Sequence, residues 1–205
     1  MNEYWHSLIT EKSWKILQEL KSKFDFVLIG GWAIYLWTNG LKSKDIDIIV
    51  DFNVLERLKK EYELRKNDAL KKYEIIVEEI DIDIYVPYFS RLGIPVEDIE
   101  AESSLIEGFK VANKEILLIM KQIAESSRNT SEKGEKDRID ILSILFFCDF
   151  DFKKYLILLK KYNKEEFYAK LLSLLKNFKD YKYFAMTPRQ FKLKKNEILN
   201  KIKKP

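Results

Sequence analysis

Cysteine and histidine are almost absent from the chain, which has one of each among its 205 residues. A single cysteine, Cys148, cannot form an intrachain disulfide, and the apolar residues around it predict a buried, reduced thiol. A single histidine, His6, argues against a catalytic triad that depends on histidine. A reduced thiol is typical of a cytoplasmic protein, which is the location we expect.

Long apolar runs are also missing. The longest fall far short of the roughly 20 residues that a membrane-spanning helix requires. The N-terminus has no basic stretch followed by an apolar one, as a signal peptide would have. We therefore expect no membrane association. Charged residues make up 34% of the chain and the net charge is +4, which is compatible with a nucleotide or RNA partner without requiring one.

The spacing of apolar residues changes along the chain. In the first part, short strand-like runs alternate with helical patterns, and the pattern predicts strands at 24–29, 46–52 and 73–86 and helices at 3–21, 32–37 and 53–72. The run at 73–86 is either one strand or two strands with a break near Glu78 and Glu79. The segment 88–112 is expected to be irregular, with at most one more short strand.

Helical spacing dominates the rest of the chain. Asn113 is a suitable N-cap for the first of these helices, and further helical patterns follow a polar loop at 128–134, covering 135–148, 152–161, 164–178 and 188–203. The expected fold class is α+β, in which residues 1–112 form a small mixed β-sheet packed by helices. Residues 113–205 are expected to form a helical C-terminal region that completes a nucleotide and acceptor cleft.

A pair of glycines follows the first predicted strand directly and precedes a helix. A strand that turns at Gly30 and Gly31 into a helix presents backbone N–H groups and a helix N-terminus, both of which attract phosphate. Glycine also allows a phosphate to approach the backbone without a Cβ in the way. The pair therefore predicts a phosphate-binding turn.

Two aspartates begin the next predicted strand. Alternate residues of a strand point to the same face, so Asp45 and Asp47 should project together while Ile46 and Ile48 enter the core. Carboxylates held close repel one another unless a cation lies between them. Mg²⁺ prefers oxygen ligands and commonly joins carboxylates to phosphate oxygens, so this pair predicts a metal site suited to phosphoryl displacement.

A third carboxylate would complete such a site, and the strand around residue 82 offers two. Asp81 and Asp83 share one face by the same alternation. We favour Asp83 because it lies deeper in the apolar part of the strand, where an unpaired carboxylate would be hardest to explain. Asp81 remains the alternative ligand.

The order Ile29-Gly30-Gly31, then Asp45-Ile46-Asp47-Ile48, resembles the signature of the DNA polymerase β-like nucleotidyltransferase superfamily. The thirteen-residue spacer is long for that signature. The resemblance implies a small mixed sheet packed by helices, with Mg²⁺ or Mn²⁺ as the cofactor and an NTP as the substrate. It also implies that Asp45, Asp47 and the third aspartate bind the metal. Lys44, next to Asp45, either contacts a phosphate or lies in solvent.

A second motif resembles the AbiEii-like branch of that superfamily. It runs from Glu115 through Lys121, Ala124 and Arg128 to Lys136-Asp137-Arg138-Ile139-Asp140, with a longer gap after Arg128 than the pattern usually has. The resemblance implies nucleotide-binding roles for Lys121, Arg128 and Lys136. Asp137 and Asp140 are three residues apart on one helix and would support Lys121 or Arg128 by salt bridges rather than bind metal.

The resemblance covers roughly residues 24–145. It implies transfer of a nucleoside monophosphate to an RNA or tRNA end, a protein or a small molecule such as an aminoglycoside. The enzyme would be the toxin of a toxin–antitoxin system, with an antitoxin as its partner. A non-catalytic nucleotide- or RNA-binding module, or an antitoxin-like protein of the same fold, is the alternative. The lysine-rich stretch after residue 190 either lies in solvent or follows an RNA backbone.

Overall fold

The computed structural model describes residues 8–203, so the expectation for His6 lies outside the described residues. The chain divides into two compact units, one of which ends at Asn113 while the other begins at Lys114. The helices of the first unit are α1 (Leu8–Lys23), α2 (Gly30–Thr38), α3 (Phe52–Glu61) and α4 (Val96–Ala101). Its strands are β1 (Val27–Ile29), β2 (Ile46–Ile49), β3 (Arg65–Asn67), β4 (Lys72–Val77), β5 (Ile80–Tyr85), β6 (Ser103–Ile106) and β7 (Phe109–Ala112).

The seven strands of the first unit form one mixed sheet in the order β3-β4-β5-β2-β1-β7-β6. Strand β2 is antiparallel to β1 and parallel to β5. These three strands, which are separated in the sequence, lie side by side in the sheet. The alternating isoleucines of β2 and β5 are buried, whereas the aspartates between them are not fully buried. This alternation turns one row of side chains into the core and the acidic row to the other face.

Strands β4 and β5 form a hairpin with the break that the sequence allowed at Glu78 and Glu79. Both residues have positive φ angles, 48° and 73°. A two-residue turn with two positive φ angles matches the right-handed twist of the strands that it joins. The two-strand alternative for residues 73–86 is therefore the one that the structure adopts.

Two stretches of the first unit differ from the prediction. The helix predicted at 53–72 ends at Glu61, and residues 65–67 form edge strand β3, paired with β4. These three polar residues have no strand-like apolar alternation, so only the pairing with β4 reveals the strand. The segment at 88–112 contains helix α4 and two strands rather than at most one, and β6 and β7 are joined through Glu107 and Gly108, both at positive φ.

The second unit is helical in its described residues, apart from short connections. It contains α5 (Lys114–Arg128), α6 (Glu132–Phe147), α7 (Phe152–Lys161), α8 (Glu166–Asn177), a 3-10 turn (Tyr181–Phe184) and α9 (Pro188–Lys203). The polar loop predicted at 128–134 is shorter than expected because Ser131 caps α6, its hydroxyl accepting a hydrogen bond from the Gly134 N–H at 3.1 Å. The predicted α+β class, a mixed sheet with helices followed by a helical region, is confirmed.

Within residues 8–203, no helix combines the length and the apolar composition of a transmembrane segment.

Candidate active site

The glycine turn joins β1 directly to α2. Gly30 has a φ of +68°, in the region that glycine adopts without steric cost. Ile29 is paired with Asp47 on the neighbouring strand, so the glycine that follows comes directly against the Asp47 side chain. A Cβ on Gly30 would collide with Asp47 Oδ2 and would lie only 2.7 Å from Asp47 Cγ. Gly30 is therefore required both by its backbone conformation and by the carboxylate beside it.

The same contact places a carboxylate at the beginning of α2. The N-terminus of a helix carries a partial positive charge, which favours a nearby anion. Ile29 precedes the helix and has no side-chain group that could cap its first N–H groups. Gly31 is buried directly after Gly30. The phosphate-binding role of the two glycines stays a prediction, and the structure adds that the Asp47 side chain lies against this turn.

Asp47 and Asp83 are neighbours across the parallel pair β2 and β5. They are register partners, as are Ile48 and Ile84 beside them. Register partners in a sheet point to the same face, so the two carboxylates share one side of the sheet. Asp45 lies in the bend before β2, close enough for its negative charge to contribute to a raised pKa of Asp83. Three of the predicted carboxylates are thus near one another.

Asp83 already has a cationic partner that the sequence did not suggest. The Lys72 Nζ lies 2.7 Å from Asp83 Oδ2 and 2.9 Å from Glu74 Oε1, and only 13% of the Lys72 side chain is exposed. Glu74 is the register partner of Asp83 on β4, and Lys72 lies two residues before it. Counting back from the two-residue turn at Glu78 and Glu79 places Glu74 directly opposite Asp83 and Lys72 diagonally opposite it.

Burial and charge oppose one another at this pair. Burial raises the pKa of Asp83, the Lys72 ammonium lowers it, and the negative charges of Glu74 and Asp45 raise it further, so that the net shift is upward. Burial lowers the pKa of Lys72, but hydrogen bonds to Asp83 and Glu74 outweigh it and raise the pKa above its ordinary value. Burial is thus the main reason for the raised pKa of Asp83, and the ion pair with Lys72 offsets it only in part.

The remaining predicted residues of this unit are Lys44 and Asp81. Lys44 is half-buried in the bend beside Asp45, and Asp81 is exposed near the beginning of β5, opposite Ile76. Asp83 is the register partner of Asp47, which pairs with Ile29 next to the glycine turn. The alternative ligand Asp81 lies two residues earlier in β5.

The donor groups suit a hard divalent cation, although they do not form a closed metal cage. Among residues 8–203, no group of three or more histidine, cysteine, aspartate and glutamate side chains is arranged to hold a metal ion by itself. Mg²⁺ commonly binds through one or two carboxylates together with water and substrate phosphates. Asp47 and Asp83, with Asp45 nearby, supply oxygen donors of that kind beside a glycine turn, so these residues fit Mg²⁺ that binds together with a nucleotide.

The second unit holds a separate ionic cluster between α5 and α6. Lys121 Nζ lies 3.0 Å from Asp137 Oδ1 and 2.7 Å from Asp140 Oδ2, while Arg128 binds both oxygens of Asp137 through Nε at 2.7 Å and Nη2 at 3.0 Å. The two aspartate side chains are only 1% and 2% exposed. These carboxylates raise the pKa of Lys121, although its burial opposes the shift. The spacing predicted these salt bridges, and Lys136 lies half-buried on the same helix.

This cluster joins the two helices of the second motif. A bidentate arginine and a buried lysine satisfy two carboxylates that would be very costly to bury alone. Of the two cations, Arg128 is the more exposed, at 39% of its side chain against 12% for Lys121. The contacts give Lys121 a structural role, and the predicted contacts of Lys121, Arg128 and Lys136 with a triphosphate remain predictions.

A surface cavity of about 480 Å³ lies beyond the end of β5, and none of the candidate metal ligands lines it. It is lined by Lys71, Tyr88, Phe89, Ser90, Arg91, Pro95 and Glu97.

The chain matches no family model and no curated protein. Its fold is similar to that of JHP933 from Helicobacter pylori, with a TM-score of 0.51 and 21% identity over 97% of this chain and 95% of that one. It is also similar to ANT(2")-Ia in complex with adenylyl-2"-tobramycin, with a TM-score of 0.53 and 13% identity over 78% of this chain and 99% of that one. The solution structure of the antibiotic-resistance factor ANT(2'')-Ia gives a TM-score of 0.52 at 14% identity, over 79% and 94% of the two chains. The chain thus has the nucleotidyltransferase fold that the sequence predicts.

Proposed function

We propose that the chain is a nucleotidyltransferase that moves a nucleoside monophosphate from an NTP to an acceptor hydroxyl. The observation that carries this proposal is the contact between Gly30 and the Asp47 carboxylate, with Asp83 paired beside it. A turn at the beginning of a helix and a pair of carboxylates on adjacent strands supply the two halves that the reaction requires, a phosphate site and a metal site.

In the proposed reaction, the oxygen of the acceptor hydroxyl attacks the α-phosphorus of the NTP. A new bond forms between that oxygen and phosphorus, the bond from the α-phosphorus to the bridging oxygen breaks, and pyrophosphate leaves. Asp83 is positioned by Lys72 and has a raised pKa, properties that suit a group that accepts the hydroxyl proton. The first N–H groups of α2 and the nearby Lys44 would orient the triphosphate.

Asp45, Asp47 and Asp83 are the residues that we propose hold Mg²⁺ or Mn²⁺. When bound, the metal would offset the negative charge of the phosphates and of the leaving pyrophosphate. Asp47 and Asp83 are register partners on adjacent strands, and carboxylates held close together favour a bound cation.

The second motif supports a narrower proposal. The order of Lys121, Arg128, Asp137 and Asp140 resembles the AbiEii-like branch, and we propose on that basis that the enzyme acts as a toxin with an antitoxin as its partner. Its expression should then slow growth. ANT(2")-Ia, which was solved with adenylyl-2"-tobramycin, suggests the alternative acceptor class of aminoglycosides, for which expression should instead protect cells from such drugs.

One observation favours a second candidate function. Lys72 already binds Asp83, and the described residues include no closed set of three metal ligands. A non-catalytic nucleotide- or RNA-binding module of the same fold would keep this arrangement. Such a protein should bind NTP or RNA equally well with and without EDTA and should label no acceptor.

The test is an incubation of the protein with each α-labelled NTP, Mg²⁺ and total RNA, a protein extract or an aminoglycoside panel. Asp83→Asn should reduce labelling by about a hundredfold or more, whereas Asp81→Asn, which makes the same chemical change at an exposed position two residues away, should leave it nearly unchanged. Equal losses in the two variants would contradict the choice of Asp83. No labelling of any acceptor by the unaltered protein would contradict the proposed activity.

A further inference from the structure

Positive charge is concentrated at one end of the chain. Residues 150–205 contain 16 lysines and arginines but only five acidic residues, a net charge of +11. Residues 1–149 contain 21 basic and 28 acidic residues, a net charge of −7. The overall charge of +4 is therefore the sum of two parts with opposite net charge. Such an asymmetry suggests a polyanionic partner for the basic part, residues 150–205.

Most of the acidic residues in this basic part have local partners. Asp151 accepts a hydrogen bond from the Lys154 N–H at 3.0 Å, and Asp180 accepts one from the Lys182 N–H at 3.2 Å. Glu197 binds Lys194 at 3.1 Å and Lys201 at 2.7 Å. These acids cap helices or pair along one helix, so they neutralise little of the surface beyond their own neighbours.

Helix α9 presents an acid-free polar face, formed by Arg189, Lys192, Asn196, Asn200 and Lys203. All five residues are exposed. At 3.6 residues per turn they lie within a sector of about 80°, and at 1.5 Å per residue they extend over about 21 Å. Glu197 falls outside this sector.

The opposite side of α9 is buried and apolar. Phe191, Ile198 and Ile202 expose 5%, 3% and 1% of their surface. A helix that inserts into a lipid surface uses its apolar side for that contact, but here that side already packs within the unit. Leu193, at the margin of the polar face, is the exposed large apolar residue of the helix. The polar face is thus available to an anionic partner that needs no apolar insertion.

The chemistry of this face matches a nucleic acid backbone. Lysine and arginine contact phosphates, and asparagine side chains contribute further hydrogen bonds to phosphate and sugar. In RNA the 2′-hydroxyl is both a donor and an acceptor, so it can pair with either end of an asparagine amide. An extended row without acidic residues suits the regular spacing of phosphates better than it suits a scattered set of carboxylates on an acidic protein.

We propose that the exposed face of α9 binds the phosphate–sugar backbone of RNA, and that RNA is the acceptor class of this enzyme. The assignment of RNA as the acceptor rests on the proposed nucleotidyltransferase function, whereas the binding of RNA by α9 does not.

The test measures binding of the full chain to a fluorescent structured RNA in EDTA, without NTP, from 50 to 200 mM salt. The variant Arg189→Gln/Lys192→Gln/Lys203→Gln removes three cations from the α9 face. Its affinity at low salt should fall about tenfold or more, and the slope of log K against log salt should fall by about two to three, because each lost phosphate contact removes close to one unit.

A matched control removes the same charge elsewhere. Lys15→Gln/Lys59→Gln/Lys60→Gln changes three exposed helical lysines of the first unit, and its affinity for RNA should stay within about twofold of the unaltered protein. Equal losses in the two triple variants would overturn the proposal, as would the absence of RNA binding or tighter binding to phosphatidylserine vesicles than to RNA.

The acceptor claim is tested separately, with α-labelled NTP, Mg²⁺ and the same RNA. Labelling that the α9 triple variant reduces at low RNA concentration and recovers at high RNA concentration would support it. Undiminished labelling by that variant would overturn the role of α9 but not the proposed function. RNA binding by α9 without labelling of any acceptor by the unaltered protein would support the RNA-binding surface and overturn the proposed function.

Discussion

Replacement of Gly30 by alanine tests the contact on which the candidate site depends. The added Cβ would meet Asp47 Oδ2 and would lie 2.7 Å from Asp47 Cγ and 2.9 Å from Asp47 Cβ. Real Cβ atoms do not approach other heavy atoms so closely, so the Asp47 side chain would have to move, with β2 or the beginning of α2. The substitution should therefore affect both the stability of the first unit and the position of a proposed metal ligand.

Two costs contribute to the expected loss of stability. Gly30 has a φ of +68°, and an alanine held in this region costs about 1–2 kcal/mol. Overpacking against Asp47 adds about 1–3 kcal/mol. We expect the free energy of unfolding to fall by about 2–5 kcal/mol in total.

Gly108→Ala is the matched control. Gly108 has a similar φ of +76°, but a Cβ there would meet mainly the end of the Lys21 side chain, 2.6 Å from Nζ, which can swing aside. This variant should lose only the conformational cost of about 1–2 kcal/mol. The difference between the two variants isolates the collision with Asp47.

The assays are equilibrium urea unfolding and labelling of an acceptor with α-labelled NTP. Displacing a ligand by about 1 Å can reduce a rate by about a hundredfold, so Gly30→Ala should label at 1% or less of the normal rate under conditions where it is still folded, while Gly108→Ala should label normally. Equal stability and equal activity in the two variants would contradict the prediction, because they would show that the position of Asp47 does not depend on a glycine at residue 30.

Three further predictions concern charged and ionisable groups. Lys72→Met should make added Mg²⁺ raise the melting temperature more than it does in the unaltered protein, because the cation that offsets Asp83 is gone; an unchanged or smaller rise would contradict this. Lys121→Met should lower the free energy of unfolding by about 3–5 kcal/mol, because two carboxylates lose a buried partner, and a loss below 1 kcal/mol in urea unfolding would contradict the structural role. Cys148 is half-buried rather than fully buried as the sequence predicted. Partial burial still raises the pKa of its thiol to about 11, so roughly one thiol in a thousand is ionised at pH 8. Iodoacetamide should therefore modify the folded protein far more slowly than the urea-unfolded one, and equal rates would contradict this.

Local patterns were sufficient to predict much of the first unit. The Gly30-Gly31 turn depends on neighbouring residues alone, and the alternation of isoleucine and aspartate in β2 and β5 indicates which face enters the core. The α+β class followed from the same periods. The alternation predicts that Asp47 and Asp83 each lie on the acidic face of their own strand. The sequence does not predict that these two strands are neighbours in the sheet.

The features that the sequence did not reveal depend on residues far apart in the chain. Strand β3 is charged and has no period of its own, so its pairing with β4 decides its conformation. Lys72 was predicted to lie at the end of a helix, whereas the β4–β5 hairpin places it against Asp83. The contact of Gly30 with Asp47 likewise arises from the register of β1 against β2, whereas the sequence had suggested only an approach of phosphate.

We propose that Asp47, at the glycine turn, helps to transfer the α-phosphoryl group of an NTP together with its nucleoside. The most direct measurement compares α-labelled and γ-labelled NTP in the presence of Mg²⁺ or EDTA, with the unaltered protein and with Asp47→Asn. We expect that only the α label enters the acceptor and that EDTA stops the transfer. Asp47→Asn should lower the transfer at least a hundredfold while the variant still unfolds cooperatively. Transfer of the γ label, or undiminished transfer by Asp47→Asn, would contradict the proposal.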